Sequence, residues 1–127
     1  MIEILTDADW ESFLESGTRV LLIGKAECPA CQVWGSELTA ALMDEGVNQP
    51  PGGALPLGRL PIRWGKITLD RGPLTQFKRE HGPWLMTLKD LPHNSIWMDG
   101  IRLKEWPGSG MERLRSRLIG LGLVEAT

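Results

Sequence analysis

The chain has 127 residues and a mass of 14.1 kDa, a size that predicts one compact domain spanning residues 1–127. Its 42% hydrophobic and 24% charged residues are close to the globular average, which argues against a disordered, collagen-like or coiled-coil chain. The net charge of -2 and pI near 5.7 argue against binding through phosphates, so we expect no nucleic-acid partner.

The amino-terminal residues also bear on location. They are acidic where a secretory signal would be basic, and no apolar run long enough for a signal core follows them. No stretch approaches the roughly 18 apolar residues that a membrane helix needs. We therefore predict a cytoplasmic protein with no membrane partner, and we expect a monomer.

The first part of the chain predicts alternating strands and helices. Ile2–Leu5 is a short apolar strand, and Thr6 with Asp9 resembles a capping box at the start of a helix that ends at Gly17. The continuous apolar run Val20–Ile23 is typical of a strand covered on both faces. The next apolar stripe, which begins at the cysteines, predicts a helix to about Met43.

A proline- and glycine-rich segment at about 44–61 predicts a long loop, which is either functional or simply exposed. A strand over Ile62–Asp70 follows, and its alternation shifts at Gly65, which predicts a bulge. Pro73 and Gly82 then mark the start and end of a third helix.

The end of the chain predicts a hairpin and a helix. Asp99-Gly100 is a hairpin turn between the strands Ser95–Met98 and Ile101–Trp106, and Ser109 with Glu112 forms a capping box for the last helix. The order is βαβαβαββα. It predicts an α/β fold with a central mixed sheet and helices on both faces.

The cysteines carry the most specific signal. Cys28 and Cys31 are the only two in the chain, and they lie between a buried strand and the first turn of a helix. Unpaired backbone N–H groups and the helix dipole at this position stabilise a thiolate, which is the form that attacks disulfides. The spacing therefore indicates thiol-disulfide exchange.

Two other interpretations of the cysteines stay open. They are half of a zinc site if histidines complete it, but His81 and His93 are twelve residues apart and lack the usual short spacing. They are otherwise two inert structural cysteines. We favour redox exchange and expect no metal and no cofactor.

Several further segments resemble the thioredoxin superfamily. The run from Lys66 to Pro73 is similar to the family's third strand and the start of the following helix. Leu91-Pro92 lies eight residues before Gly100, which is the spacing between the family's cis-proline and hairpin glycine. Together these matches span most of the chain and imply the thioredoxin-like fold.

The resemblance also implies roles for individual residues. Cys28 is then the nucleophile, Cys31 is the resolving thiol, and the two form a redox-active disulfide. Pro92 is the cis-proline that packs against the cysteine pair, and the backbone of Leu91 binds an extended substrate. His93, directly after Pro92, is expected to lie close to the sulfurs and to tune their charge or select substrates. A substrate would then add to the protein as an extra strand.

Two positions depart from the family pattern. Glu27 replaces the tryptophan that usually precedes the first cysteine, and Leu22 replaces the buried aspartate six residues before it. Glu27 and Lys66 are therefore candidates for tuning the pKa of the cysteines. Among the six tryptophans, Trp84 is the one that we expect to be exposed and to touch a substrate.

The resulting prediction is a thiol-disulfide oxidoreductase that reduces protein disulfides and is recycled by an unidentified reductase or by glutathione. One alternative is a glutaredoxin-like reductase that depends on glutathione. Another is a thioredoxin-fold interaction or assembly module, chaperone-like, in which the cysteines are not catalytic. The long loop and Leu22 keep this last alternative open.

Overall fold

The computed structural model describes residues 1–44 and 56–124, and its elements follow the predicted order. The strands are β1 (Ile2–Ile4), β2 (Thr18–Gly24), β3 (Ile62–Thr68), β4 (His93–Met98) and β5 (Ile101–Pro107). The helices are α1 (Trp10–Leu14), α2 (Pro29–Met43), α3 (Thr75–Leu85) and α4 (Met111–Gly120). No helix in these described ranges is long and apolar enough to cross a membrane.

The five strands form one mixed sheet in the order β1-β3-β2-β4-β5. The first three strands run parallel, and β4 pairs antiparallel with both β2 and β5. The prediction of a mixed central sheet is confirmed. Its central strand β2 is the one with the continuous apolar run, because both of its faces are covered.

Successive side chains along each strand point to opposite faces of the sheet, so each face has its own hydrophobic core. The core between the sheet and helices α2 and α4, here called the α2 face, includes Val20, Leu22, Trp34, Leu38, Ile96, Trp106, Leu114 and Leu118. The core between the sheet and helices α1 and α3, here called the α3 face, includes Trp10, Phe13, Leu21, Ile23, Phe77, Trp84 and Trp97.

The predicted loop at 44–61 lies partly outside the described residues, which resume at Pro56. A short 3-10 turn, Leu57–Arg59, closes the segment. Leu57 and Leu60 are buried in the α2 face, so this end of the predicted loop is part of the core rather than exposed. Burial of the two leucines outweighs the loop tendency of the surrounding glycines and prolines.

The predicted bulge at Gly65 is wrong. β3 pairs without interruption with both neighbours, and Gly65 is opposite Leu21. A β-carbon at Gly65 would lie 2.7 Å from the Phe13 ring and 2.8 Å from Leu5, so glycine is needed there for close packing. The irregularity of the sheet lies instead between Ile96 and Trp97, where β4 pairs with β5.

Helix α3 differs from its prediction at both ends. It begins at Thr75 after a cis Gly72-Pro73 bond, and its first free N–H groups donate to the carboxylate of Asp7, at 2.9 Å from Gln76 and 3.0 Å from Phe77. These bonds hold the pKa of Asp7 below its usual value, although desolvation acts in the opposite direction.

At its other end, α3 continues past Gly82 and through Pro83 to Leu85. The side chain of Trp84 explains this extension, because it is buried on the α3 face and donates to Glu105 Oε1 at 3.1 Å. Tertiary contacts of this kind override a local breaker. The expectation that Trp84 is exposed is therefore wrong, although its 9% exposure is the highest among the six tryptophans.

The turn and capping predictions have mixed outcomes. Asp99 and Gly100 have positive φ, as the hairpin turn requires. Thr6 N donates to Asp9 Oδ1 at 2.7 Å, as the first capping box predicts, but the Thr6 hydroxyl accepts from Ala8 N and Asp9 is the N-cap residue of α1, so this capping box is only half formed. The Ser109–Glu112 capping box is wrong, because Gly110 is the N-cap residue of α4.

Candidate active site

Cys28 and Cys31 lie at the amino end of α2 and form a disulfide with their Cα atoms 5.2 Å apart. Cys28 is the N-cap residue and its sulfur accepts a hydrogen bond from Cys31 N at 3.2 Å. Pro29 occupies the first helical position, where its missing N–H is not needed. The Cys28 sulfur thus faces the positive end of the helix dipole.

The two sulfurs differ in accessibility. Cys31 is buried, with 3% of its surface exposed, whereas Cys28 is partly exposed. A thiol that approaches from outside therefore meets Cys28 first. This asymmetry is what a two-step exchange needs, because one sulfur meets the substrate and the other resolves the intermediate.

Gly24, the last residue of β2, provides the space for the buried sulfur. A β-carbon added there would lie 2.9 Å from Cys31 Sγ and 3.1 Å from Cys31 Cβ. A side chain would have to displace the cysteine. The sequence analysis did not identify Gly24, and its only signal is a glycine at the end of a buried strand.

The turn that precedes the cysteines is held from two sides. Ala26 N donates to Asp70 Oδ1 at 2.9 Å, and Ala26 O accepts from Gln32 Nε2 at 2.8 Å. The bond from Ala26 N is the main reason that the pKa of Asp70 is lowered. Asp70 belongs to the segment that resembles the family, but its role in holding this turn was not predicted.

The Leu91-Pro92 bond is cis, as the resemblance implied. The next residue, His93, pairs with Ile23, which places Pro92 beside Gly24 and therefore beside the end of β2 that contacts Cys31. Pro92 is buried and its carbonyl accepts from Gly108 N at 2.8 Å.

His93 does not join Cys31. His93 is paired with Ile23, and paired residues point to the same face of the sheet, which for Ile23 is the α3 face. Cys31 lies on the opposite face, because a β-carbon on the next residue, Gly24, would point at it. The imidazole is buried, with Nε2 3.0 Å from Glu105 Oε1, and it contacts the Trp84 ring. The structure thus separates His93 from the buried sulfur that it was expected to approach.

Glu105 joins several groups on the α3 face. Burial alone would raise its pKa, but the hydrogen bond from Trp84, the charge of Arg102 and the hydrogen bond with His93 together lower it. Arg102 Nε lies 2.9 Å from Glu105 Oε2, and its guanidinium lies 4.2 Å from the centre of the Trp84 ring.

Glu27 and Lys66 belong to different segments of the chain, the turn before Cys28 and strand β3. Glu27 is exposed immediately before Cys28, and Lys66 is partly exposed in β3 between Ile4 and Leu22. Lys66 lines an open cavity of about 820 Å³ between β1 and α2. Among the described residues, neither side chain has a hydrogen-bond or ion-pair partner.

The histidines do not complete a zinc site with the cysteines. His81 is surrounded by the rings of Trp10, Phe77, Trp84 and Trp97, with centroids 5.0 to 5.9 Å away. Desolvation in this cluster is the main reason that the pKa of His81 is lowered. Within residues 1–44 and 56–124, no group of three or more His, Cys, Asp or Glu side chains is arranged to hold a metal.

Comparison with solved structures shows which architecture this is. Thioredoxin f2 of Chlamydomonas reinhardtii superposes with a TM-score of 0.69 over 95% of this chain and 96% of its own, at 13% identity. Thioredoxin from Fasciola hepatica has a TM-score of 0.64, with coverage of 94% and 98% and 15% identity. Oxidised thioredoxin O2 from Arabidopsis thaliana has a TM-score of 0.61, with coverage of 94% and 93% and 20% identity.

The chain has the thioredoxin fold. No protein-family model and no curated protein sequence matches it, so the likeness rests on structure. The resemblance predicted from the sequence is confirmed at the level of the thioredoxin fold, including its mixed sheet and its cysteine pair at the start of α2.

Proposed function

We propose that this protein is a thiol-disulfide oxidoreductase that reduces protein disulfides in the cytoplasm, as a monomer whose residues 1–127 form one domain. The observation that carries the proposal is the disulfide at the amino end of α2, in which Cys28 is partly exposed and Cys31 is buried. The thioredoxin fold supports the same activity.

In the proposed reaction, the Cys28 thiolate attacks one sulfur of a substrate disulfide. A bond forms between Cys28 and that sulfur, and the other substrate sulfur leaves as a thiolate that takes up a proton. The Cys31 thiolate then attacks Cys28 Sγ, releases the second substrate thiolate and forms the Cys28–Cys31 disulfide. The substrate gains two electrons and the protein loses two.

The first step is favoured by the start of α2. Its unpaired N–H groups and the helix dipole lower the free energy of a Cys28 thiolate relative to the thiol. The second step is favoured by burial, because Gly24 holds Cys31 Sγ within reach of Cys28 and away from competing disulfides.

Docking of the substrate involves the segment next to the cysteines. We assign the backbone of Leu91 to pairing with an extended substrate chain and Pro92 to packing against the disulfide. Glu27 and Lys66 then adjust the electrostatic potential around the thiolates. His93 supports this segment from the α3 face through its contact with Glu105.

Insulin reduction with dithiothreitol tests the proposal. We expect turnover with the wild type and no turnover above background with Cys28→Ser. When reduced Cys31→Ser is mixed with insulin after dithiothreitol is removed, a mixed disulfide should accumulate because no second thiol resolves it. Equal turnover in wild type and Cys28→Ser would contradict the proposal. Replacing dithiothreitol by glutathione, or by a thioredoxin-reductase system, then identifies the class of recycling partner.

A further inference from the structure

Asn94 is a polar side chain inside the otherwise apolar core of the α2 face. It is 1% exposed and lies on β4, two residues after Pro92. Its Oδ1 accepts a hydrogen bond of 2.7 Å from the indole N–H of Trp34, which is fully buried in α2. Trp34 is three residues after Cys31, so Asn94 is tied to the helical turn that follows the buried sulfur.

The amide nitrogen of Asn94 binds the backbone at the end of β5. It donates to Gly108 O at 2.8 Å and to Trp106 O at 3.2 Å. Both the oxygen and the nitrogen of the buried Asn94 amide therefore have hydrogen-bond partners. A buried network of this kind fixes distances strictly, because each unmade bond leaves a desolvated polar group.

Gly108 completes the link to the cis-proline. Its N–H donates to Pro92 O at 2.8 Å, and its carbonyl accepts from Asn94. Gly108 has a φ of +87°, a conformation that favours glycine, so its two peptide groups are held in a turn that other residues adopt poorly. One side chain therefore connects α2 with the two backbone segments at Pro92 and Gly108.

We propose that Asn94 is a positioning residue that sets the Pro92 and Gly108 segments against the helix of Cys31, and so aligns a docked protein chain with the disulfide. The inference rests on the proposed function for its effect on substrates. Asn94 contacts no reacting atom, and it acts through Trp34 and Gly108.

The same strand offers a matched control. Ser95 Oγ accepts a hydrogen bond of 2.8 Å from the indole N–H of Trp97, and both residues are buried, but on the α3 face. Ser95→Ala therefore removes the buried partner of an indole from β4 without touching Gly108. If the network around Asn94 were only structural, the two positions would behave alike.

The kinetic experiment compares a protein disulfide with a small one. For Asn94→Leu, we expect KM for insulin to rise about tenfold, while the rate of reduced protein with 5,5′-dithiobis(2-nitrobenzoic acid) stays within about twofold. Ser95→Ala should leave both within about twofold. Trp34→Phe, which keeps the bond to Gly108, should raise KM less than Asn94→Leu. An Asn94→Leu protein that is folded and has an unchanged KM overturns the proposal.

A second experiment does not depend on catalysis. Hydrogen exchange of the Gly108 amide reports the bond to Pro92, and we expect it to be about tenfold faster in Asn94→Leu and unchanged in Ser95→Ala. Equal exchange in Asn94→Leu and wild type overturns the positioning role even if insulin is reduced. If the wild type does not reduce insulin but exchange is still faster in Asn94→Leu than in wild type, the proposed function is refuted while the role of Asn94 is supported. If Asn94→Leu does not fold, Asn94→Ser is judged by the same two criteria.

Discussion

The two faces of the sheet are both covered by helices and both have buried cores, but they carry different chemical groups. The α2 face is a mostly aliphatic core that also holds tryptophans such as Trp34 and Trp106, together with the buried sulfur and one amide network. The α3 face instead gathers a cluster of aromatic rings, both histidines and the Glu105–Arg102 pair. The difference shows that the sheet separates the cysteine pair from both histidines.

Alternation along β4 produces this separation. His93, Ser95 and Trp97 point to the α3 face, and Asn94 and Ile96 point to the α2 face. A residue next to the cis-proline in sequence can therefore lie on the opposite side of the sheet from Cys31. The following predictions test how independent the two faces are.

The largest expected effect is on stability, when an aromatic ring is removed from the α3 face. Phe77 is fully buried against Trp10, and Phe77→Ala should lower the free energy of unfolding by about 3–5 kcal/mol, because it leaves a cavity. Denaturant titration measures the loss. At a temperature where the variant is folded, its insulin reduction should remain within about twofold of wild type. A large loss of turnover in the folded variant would show that the faces are coupled.

The next test compares Gly24 and Gly65, at which an added β-carbon would point to opposite faces of the sheet. Gly24→Ala forces Cys31 Sγ to move, so insulin reduction should fall roughly ten- to hundredfold. Gly65→Ala crowds Phe13 and Leu5 and should cost about 1–3 kcal/mol of stability with little change in turnover of the folded protein. The reverse pattern would contradict the placement of the reaction on the α2 face.

A smaller effect concerns pH. Desolvation lowers the pKa of His81 in the folded protein, while the charges of Glu80 and Arg102 act in opposite directions on it. The unfolded chain therefore binds a proton more readily, near pH ~6.5, so stability is present above that pH and is lost as the pH falls through the folded pKa.

His81→Phe should remove part of this acid-dependent loss between about pH 7 and pH 5, because phenylalanine cannot bind a proton. Unfolding curves at several pH values measure it. The pH profile of Cys28 reactivity should be the same in both proteins, and a shifted profile would show that His81 acts across the sheet. Identical pH dependence of stability in the two proteins would show that His81 does not contribute.

The smallest effect on stability is expected for the ion pair between Glu3 and Arg63, which lies next to Phe13 of the α3 face. Arg63 pairs with Glu3, with 2.5 Å between Nη2 and Oε1, and its guanidinium lies 5.2 Å from the centre of the Phe13 ring. Both side chains are largely solvated, so Glu3→Gln should cost only about 0.2–1 kcal/mol. The loss should shrink at high salt. A loss that salt does not change would assign the effect to packing instead.

Much of the fold could be predicted from local patterns. The apolar run of β2, the Asp99-Gly100 turn and the position of the cysteines before α2 are each determined by neighbouring residues, and all are confirmed. Gly82 misled the prediction of where α3 ends, because the buried and hydrogen-bonded Trp84 holds the end of that helix in place.

The site was harder to predict than the fold. Cys28 and Cys31 carry a spacing that is visible in the sequence, but Gly24 and Asn94 act through contacts with residues distant along the chain. No periodicity or motif distinguishes such residues from ordinary members of a strand. The orientation of His93 likewise depends on the register between β4 and β2.

The outer strands of the sheet limit what else can pair with this protein. β1 has only three residues, and β5 presents the charges of Arg102, Lys104 and Glu105 beside the irregularity at Trp97. Short, charged and irregular edges discourage the addition of a foreign strand. Both outer edges of the sheet therefore resist edge-to-edge aggregation, so the features that make β1 and β5 poor pairing partners also keep copies of this protein apart.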